Sequence, residues 1–433
     1  METISATAPL ATPEEPTSGG PAILQPLRLR DFRLVFTGES ISLIGDQFHF
    51  VALAWLVLQL TGSGVALGTV LMVAAIPRAT FLLLGGALSD RFSPRSLMLV
   101  SNVVRGVVVG LLAVLVISGN AQLWMLYVLA LIFGVVDGIF HPALNTIVPM
   151  LVSARQLPPA NALVQISQQL SGLIGPAIAG LVVAAVQTGP AFAVDAISFG
   201  VAALALAFVI GGRRAAPAQP AGSDASAPEG LLATIGSGMR FVWRDPAVRS
   251  LIFLVAAFNF AFTGPLQVGL PYLADSRYAG GPALLGIMFS AFGVGAVGGA
   301  ALAGSIKRVP RLGLVTLLIA GAMGIGLGLI GLAPSIGIAL AAMVAIGLGA
   351  GFINVRVIAW LQQRTPEEMR GRVMSLLLLG AIGLAPVSLA VSGIIIDFGA
   401  VTAMFLVASV IVIAAALSGV VGGVPARMTD EPA

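Results

Sequence analysis

Apolar runs of about 20 residues, the length a helix needs to cross a membrane, recur along this chain between short polar breaks. Twelve runs fit, near 34–60, 64–88, 96–118, 121–147, 161–186, 190–210, 248–273, 284–304, 312–332, 336–361, 373–396 and 400–421. Most breaks are a handful of residues, so neighbouring helices must run antiparallel. One break is long. Residues 211–247 open with the Pro/Ala/Ser-rich stretch GGRRAAPAQPAGSDASAPEG, which reads as a flexible linker. They close with LLATIGSGMRFVWRD, which suits an amphipathic helix at the membrane surface. The pattern predicts a tail over 1–33, a six-helix bundle over 34–210, the linker 211–247, a second six-helix bundle over 248–421 and a tail over 422–433.

Composition agrees. The 433 residues are 58% hydrophobic and 9% charged, far below the roughly 25% charged of a soluble domain, so the class is integral membrane. The net charge of +4 does not point to nucleic acid, because the basic residues lie in membrane loops, where they set topology. Only Arg277 falls in the loops opposite the tails; Arg78, Arg105 and Arg356 lie inside spans, and the other basic residues fall on the face that both tails share. This asymmetry places both termini in the cytoplasm. The absence of cysteine excludes disulfides, thiolate metal sites and cysteine nucleophiles, and two histidines are too few for a zinc site. The polar, Pro-rich start carries no signal-peptide pattern. No cofactor is implied.

The two halves echo each other. Arg30-Asp31 recurs as Arg244-Asp245 and GGALSD (85–90) as GAALAG (299–304), both at an offset of 214. Gly134 and Gly138 match Gly347 and Gly351 at nearly that offset. Parallel repeats of this kind build one large class of transporters, with the site at the interface of the halves near the midplane. The expected architecture is therefore all-α, two pseudo-symmetric six-helix bundles around a central cavity. The acids Asp46, Asp90 and Asp137 align roughly with Phe260, Gly304 and Ala350, so ion coupling is expected in the first half and an apolar wall in the second.

Charges at bilayer depth cost several kcal/mol and are usually paired and functional. Asp46 lies ~18 Å from the cytoplasmic end of its helix, and Arg78, Arg105 and Asp137 ~13–15 Å, at about 1.5 Å per residue. Pairing across helices is expected, and protonation of an acid would free its arginine, a coupling step for alternating access. The alternative is a permanent ion pair that only fixes packing. Glu39 shares a helix face with Asp46 and either relays protons or attracts cationic cargo, or else is merely solvated. His49 and His141, one turn from Asp46 and Asp137, could shuttle protons or be ordinary polar residues. Asp195 is read as a packing residue and Asp397 as a solvated edge residue. Gln47, Asn102, Asn145, Gln165, Gln168 and Gln169 add hydrogen-bonding groups.

GGALSDRFSPR (85–95) resembles the loop motif of the major facilitator superfamily, keeping Asp90, Arg91 and Arg95 while Ser93 and Pro94 replace the motif's glycine and first arginine. Residues 30–63, 140–152 and 160–182, with VDAISF (194–199) and LQQRTPEEMRGRVMSL (361–376), are similar to the drug:proton antiporter branch that includes macrolide and siderophore exporters. The resemblance implies a cytoplasmic gate in which Asp90 bridges to the start of the eleventh span. Arg370 and Arg372 stand there, where a helix N-terminus favours a carboxylate. It also likens Gly172, Gly175, Pro176 and Gly180 to the antiporter motif of the fifth span; ordinary small-residue packing is the alternative.

A cavity lined by Phe48, Phe50, Trp55, Phe133, Phe140, Phe258, Phe260, Phe262, Gln267 and Phe289 would suit bulky amphipathic compounds better than sugars or phosphates. The expected function is proton-coupled efflux of drug-, macrolide- or siderophore-type molecules across the cytoplasmic membrane, by a monomer in contact with lipid. The alternative is an ion-coupled symporter taking up a small organic solute. An enzyme is not expected: no nucleophile or metal constellation accompanies Glu39, Asp46 and His49. A receptor would need an output domain that the polar segments are too small to form.

Overall fold

The computed structural model describes residues 22–211, 240, 243, 246–365, 367–421, 423–424 and 428; the side chains of 22, 83–91, 246–247, 367–372 and 375 lie outside that description. Among the described residues, twelve helices are long and apolar enough to cross a membrane. The first six are α1 (Arg30–Thr61), α2 (Gly64–Arg91), α3 (Pro94–Ile117), α4 (Leu123–Leu151), α5 (Leu157–Val186) and α6 (Thr188–Ala207). α7 runs from Pro246–Gly264 through a π-helical turn at Pro265–Gly269 into Leu270–Ser276. Then come α8 (Gly281–Ser305), α9 (Leu312–Leu332) and α10 (Ile336–Arg364). α11 is made of Glu367–Ile382 and Ala385–Asp397 around a break at Gly383, and α12 is Val401–Val421. In lipid only helices or closed barrels satisfy every backbone polar group, and the chain takes the first route.

The first helix starts earlier than its apolar run. α1 begins at Arg30, not 34, because Asp31 ties it down: its Oδ2 accepts from the Ile210 and Gly211 amides at 2.9 and 2.7 Å, just past α6. Most of the linker 211–247, with its expected amphipathic helix, lies outside the described residues, as do most of the tails.

An even number of spans puts the start of α1 and the end of α12 at one end of the molecule, here called the terminal end. In the first half α1 packs on α5 and α6, α2 on α4, and α3 on α4 and α6. In the second half α8 packs on α10, α9 on α10 and α12, and α7 on α11 and α12. Matching glycines serve matching helices. A Cβ on Gly134 or Gly138 would collide with α2, and one on Gly347 or Gly351 with α8. Small residues let helix backbones approach closely where lipid supplies no hydrophobic drive.

The buried apolar residues fall into three groups. One large core at the far end joins both halves, holding Phe48, Phe133 and Phe192 with Leu270, Met288 and Phe405. At the terminal end each half has its own core, around Phe32 and Ile147 in the first and around Val248 and Trp360 in the second. Among the described residues, then, the two halves share a core at the far end and have separate cores at the terminal end. Outward faces stay apolar, as Val103, Val107, Leu111 and Val114 along α3 illustrate, and this fits a lipid surround.

Candidate functional site

Five charged or amide side chains from four helices form one continuous network. Asn102 Nδ2 donates to Glu39 Oε1 at 3.1 Å. Arg105 Nη2 donates to Asn102 Oδ1 at 3.0 Å, and its Nη1 to Asp137 Oδ1 at 3.1 Å. Arg78 Nη2 donates to Asp137 Oδ2 at 2.5 Å. Arg105, Asn102 and Glu39 are buried, at 3%, 0% and 7% exposure. Its guanidinium carbon stands 4.3 Å from the centroid of Phe140 and 4.7 Å from that of Phe199. Two aromatic faces thus stabilise the cation where water does not. The three-residue step from Asn102 to Arg105 places both on one face of α3. The predicted pairing of Arg78, Arg105 and Asp137 is realised; Asn102 as the bridge to Glu39 is a feature that the sequence offered only as one amide among several.

Asp46 is half-buried, lines the central cavity, and makes no hydrogen bond or ion pair among the described residues. Arg105, Asp195, Asp137 and Glu39 lie within its electrostatic reach. One turn farther along α1, His49 Nδ1 is 3.3 Å from Asp195 Oδ2 of α6. Asp195 is wholly buried, so the packing role read from its position near the end of α6 is incomplete: it belongs to the same charge cluster. The signal that could have located it was helical spacing, since α6 descends beside α1 and sets Asp195 level with His49.

The cavity measures about 830 Å³, within the range of small-molecule sites. All its charged lining residues, Glu39, Asp46, Arg78, Arg105 and Asp137, come from the first half. The second half adds Phe262, Phe289 and Phe292 with the amide and hydroxyl groups of Asn259, Thr263 and Gln267. Of the ten residues expected in the lining, Phe50, Phe133, Phe140, Phe262, Gln267 and Phe289 reach the cavity, and Phe48 is buried in the far-end core. Trp55 and Phe258 pack against the far-end core, Phe258 stacking on Phe262 at 4.1 Å, and Phe260 offers its backbone carbonyl to Ser388. Phe50 and Phe289 meet edge to face at 5.0 Å across the two halves.

The halves are held together at the far end by two seams. In one, α5 lies on α8: a Cβ on Gly180 would lie 3.1 Å from Gly286 Cα, and one on Gly293 2.8 Å from Leu173 Cα. Pro176, also in this seam, has no N–H, and the next amide, Ala177, donates to Ser290 Oγ at 3.1 Å across the seam. Gly175 instead receives the Gln47 side chain from α1, and Gly172 lines the cavity. In the other seam α2 lies on α11. Asp397 Oδ2 accepts from Ser63 Oγ at 2.6 Å and its Oδ1 from the Gly64 amide at 2.5 Å. The expected solvated edge carboxylate therefore caps the start of α2. At the terminal end, Arg95 donates to the carbonyls of Leu206 and Ala207 at 2.8 and 2.7 Å, closing the end of α6. The other residues of the expected gate, Asp90, Arg91, Arg370 and Arg372, have side chains outside the described set.

Two six-helix bundles joined at one end, around a cavity of buried charge, are the build of a membrane transporter. The sequence profile of the Major Facilitator Superfamily matches residues 35–387, and the chain belongs to that superfamily. It is a multi-pass membrane transporter and not an enzyme. Macrolide efflux protein A of Streptococcus pyogenes is 24% identical over 390 residues, covering 89% of this chain and 94% of that one. Enterobactin exporter EntS of Escherichia coli is 26% identical over 345 residues, 80% of each chain. Among solved structures, a bacterial homolog of the human lysosomal transporter Spinster, inward-facing and occupied, superposes with a TM-score of 0.69 at 14% identity, over 94% of this chain and all of that one. A POT family transporter in complex with 5-aminolevulinic acid gives 0.71 at 15% identity, over 93% and 97%.

Proposed function

We propose that this protein exports bulky amphipathic molecules of macrolide or siderophore type from the cytoplasm in exchange for protons. It would work in the cytoplasmic membrane with the terminal end inside, so that the conformation described above is inward-facing and closed to the outside. The observation that carries the proposal is Asp46: a carboxyl that lines the cavity, opposite an aromatic wall, with no hydrogen-bond or ion-pair partner among the described residues. Four acids, Glu39, Asp46, Asp137 and Asp195, share two arginines here, so bound protons would neutralise what the arginines leave over. An incoming proton and an outgoing substrate then compete for one charge cluster. Protonation weakens the Arg78–Asp137–Arg105 bridge between α2, α3 and α4, and the bundles can rock.

The efflux relatives support the outward direction, and the aromatic wall supports amphipathic cargo. The carriage of proton against substrate is tested in everted vesicles energised to an inside-acid gradient and followed with a pH-sensitive dye. Macrolides, cationic dyes and catechol siderophores are added in turn. Antiport predicts that at least one compound drains the gradient. A panel that leaves the gradient intact, or a compound that deepens it, counts against proton antiport; uptake by proton symport would be the reading that gains.

A further inference from the structure

We infer that His49 and Asp195 form a second proton-binding site behind Asp46, which exchanges its proton with the cavity through the His49 ring. Its use in transport rests on the proton-coupled reading above; its existence does not, and the test below separates the two.

Asp195 is 0% exposed, and the donor that faces its carboxyl among the described residues is His49 Nδ1, 3.3 Å from Oδ2. Ser198, one turn away, gives its hydroxyl to the Asp195 backbone carbonyl at 2.7 Å instead. Buried carboxyls are normally held by several donors, and this one faces a single imidazole. Among the described residues no lysine or arginine pairs with it. Arg105 reaches it only at electrostatic range, with its Nη1 and Nη2 engaged by Asp137 and Asn102. The other titratable groups that face it are His49 and Asp46 on α1 and Asp137 on α4, and α5 carries none.

The site is built. A Cβ on Gly45 would lie 3.0 Å from Asp195 Oδ1 and collide with Ser198, so only glycine there lets the carboxyl stand against α1. His49 is clamped between Phe133, stacked at 4.4 Å, and Phe192, edge-on at 5.6 Å. The clamp fixes Nδ1 toward Asp195 while the ring still lines the cavity; Asp195 does not line it. Phe192, Ala191 and Leu126 are fully buried in the far-end core, so the cavity is the open side. A proton arriving on the other ring nitrogen, Nε2, lets Nδ1–H pass to Asp195 Oδ2. One N–H forms, another becomes O–H, and the cluster gains a single proton; release runs backwards.

The chain has only two histidines, so ¹⁵N-histidine labelling in lipid nanodiscs gives two imidazoles, assigned with His141→Gln. The inference predicts that the His49 nitrogen signals respond to acidification, and that Asp195→Asn changes that response. His49 signals that do not respond in wild type would overturn it. So would an unchanged response in an Asp195→Asn protein that keeps its melting temperature. Should that variant not fold, His49→Gln replaces it: proton uptake on acidification, read with a pH dye, should fall by about one proton per molecule, and unchanged uptake overturns the site. A positive titration together with a vesicle panel that moves no protons would leave the dyad standing and reject its use in antiport.

Discussion

Asp397, the last residue of α11, caps the start of α2 by accepting from Ser63 Oγ and the Gly64 amide. The contact mirrors, at the far end, the bridge expected between Asp90 at the end of α2 and the start of α11. The two ends of one helix pair would then be latched alternately by a carboxylate on a helix N-terminus, where the dipole favours it. Because Asp397 is solvent-exposed, its contribution is small, about 1 kcal/mol, which is roughly a fivefold change in a two-state population. Asp397→Ala should raise the outward-open fraction by about that factor. Spin labels on cysteines placed at the far ends of α2 and α11 would read it without background, since the chain has no cysteine. An unchanged distance distribution would remove the latch from the account.

Arg105 serves two acids at once, Asp137 directly and Glu39 through Asn102, while lying between Phe140 and Phe199. Arg105→Met should destabilise the protein by about 3–5 kcal/mol, because it strands buried acceptors. Arg105→Lys should do little better, since an ammonium cannot span both acceptors and lie flat between two rings. Thermal unfolding in detergent measures the first effect, and vesicle transport the second. A lysine variant with full stability and transport would show that the forked geometry is dispensable.

The α5–α8 seam depends on the absence of side chains. Gly180→Val would push a branched side chain into Gly286 and the Pro282 carbonyl, an overpacking of about 1–3 kcal/mol against the far-end-closed state alone. The expected result is a protein that folds, favours the far-end-open state and transports at less than about a tenth of the wild-type rate. Distances between labels at the far ends of α5 and α8 would check it. Normal closure with the valine present would mean that the seam yields more easily than its backbone contacts suggest.

The twelve spans were legible because apolar runs of the right length have no other use in a chain this poor in charge. Helix starts were less so: α1 gains a turn through Asp31, a long-range contact with the end of α6 that no local pattern reveals. Depth from the span ends was enough to bring Arg78, Arg105 and Asp137 together, since rise per residue is fixed. It could not orient side chains about the helix axis. Hence Phe48, Trp55, Phe258 and Phe260, read as cavity walls, do not line the opening, while Phe292, not among the residues expected there, does. Asp195 and Asp397 were underrated for one reason: each is defined by a residue on another helix, His49 in one case and Gly64 in the other.

The most direct test of the account is a paired flux measurement on purified protein in liposomes with an imposed pH gradient. Uptake of a labelled macrolide or siderophore and counterflow of protons are recorded together, for wild type and Asp46→Asn. The account predicts opposed fluxes of substrate and protons in wild type. In Asp46→Asn, gradient-driven substrate accumulation should fall by at least about tenfold while downhill movement of substrate continues, because the cavity remains and only its proton acceptor is gone. Coupled flux that survives in Asp46→Asn, or protons and substrate moving in the same direction in wild type, would contradict it.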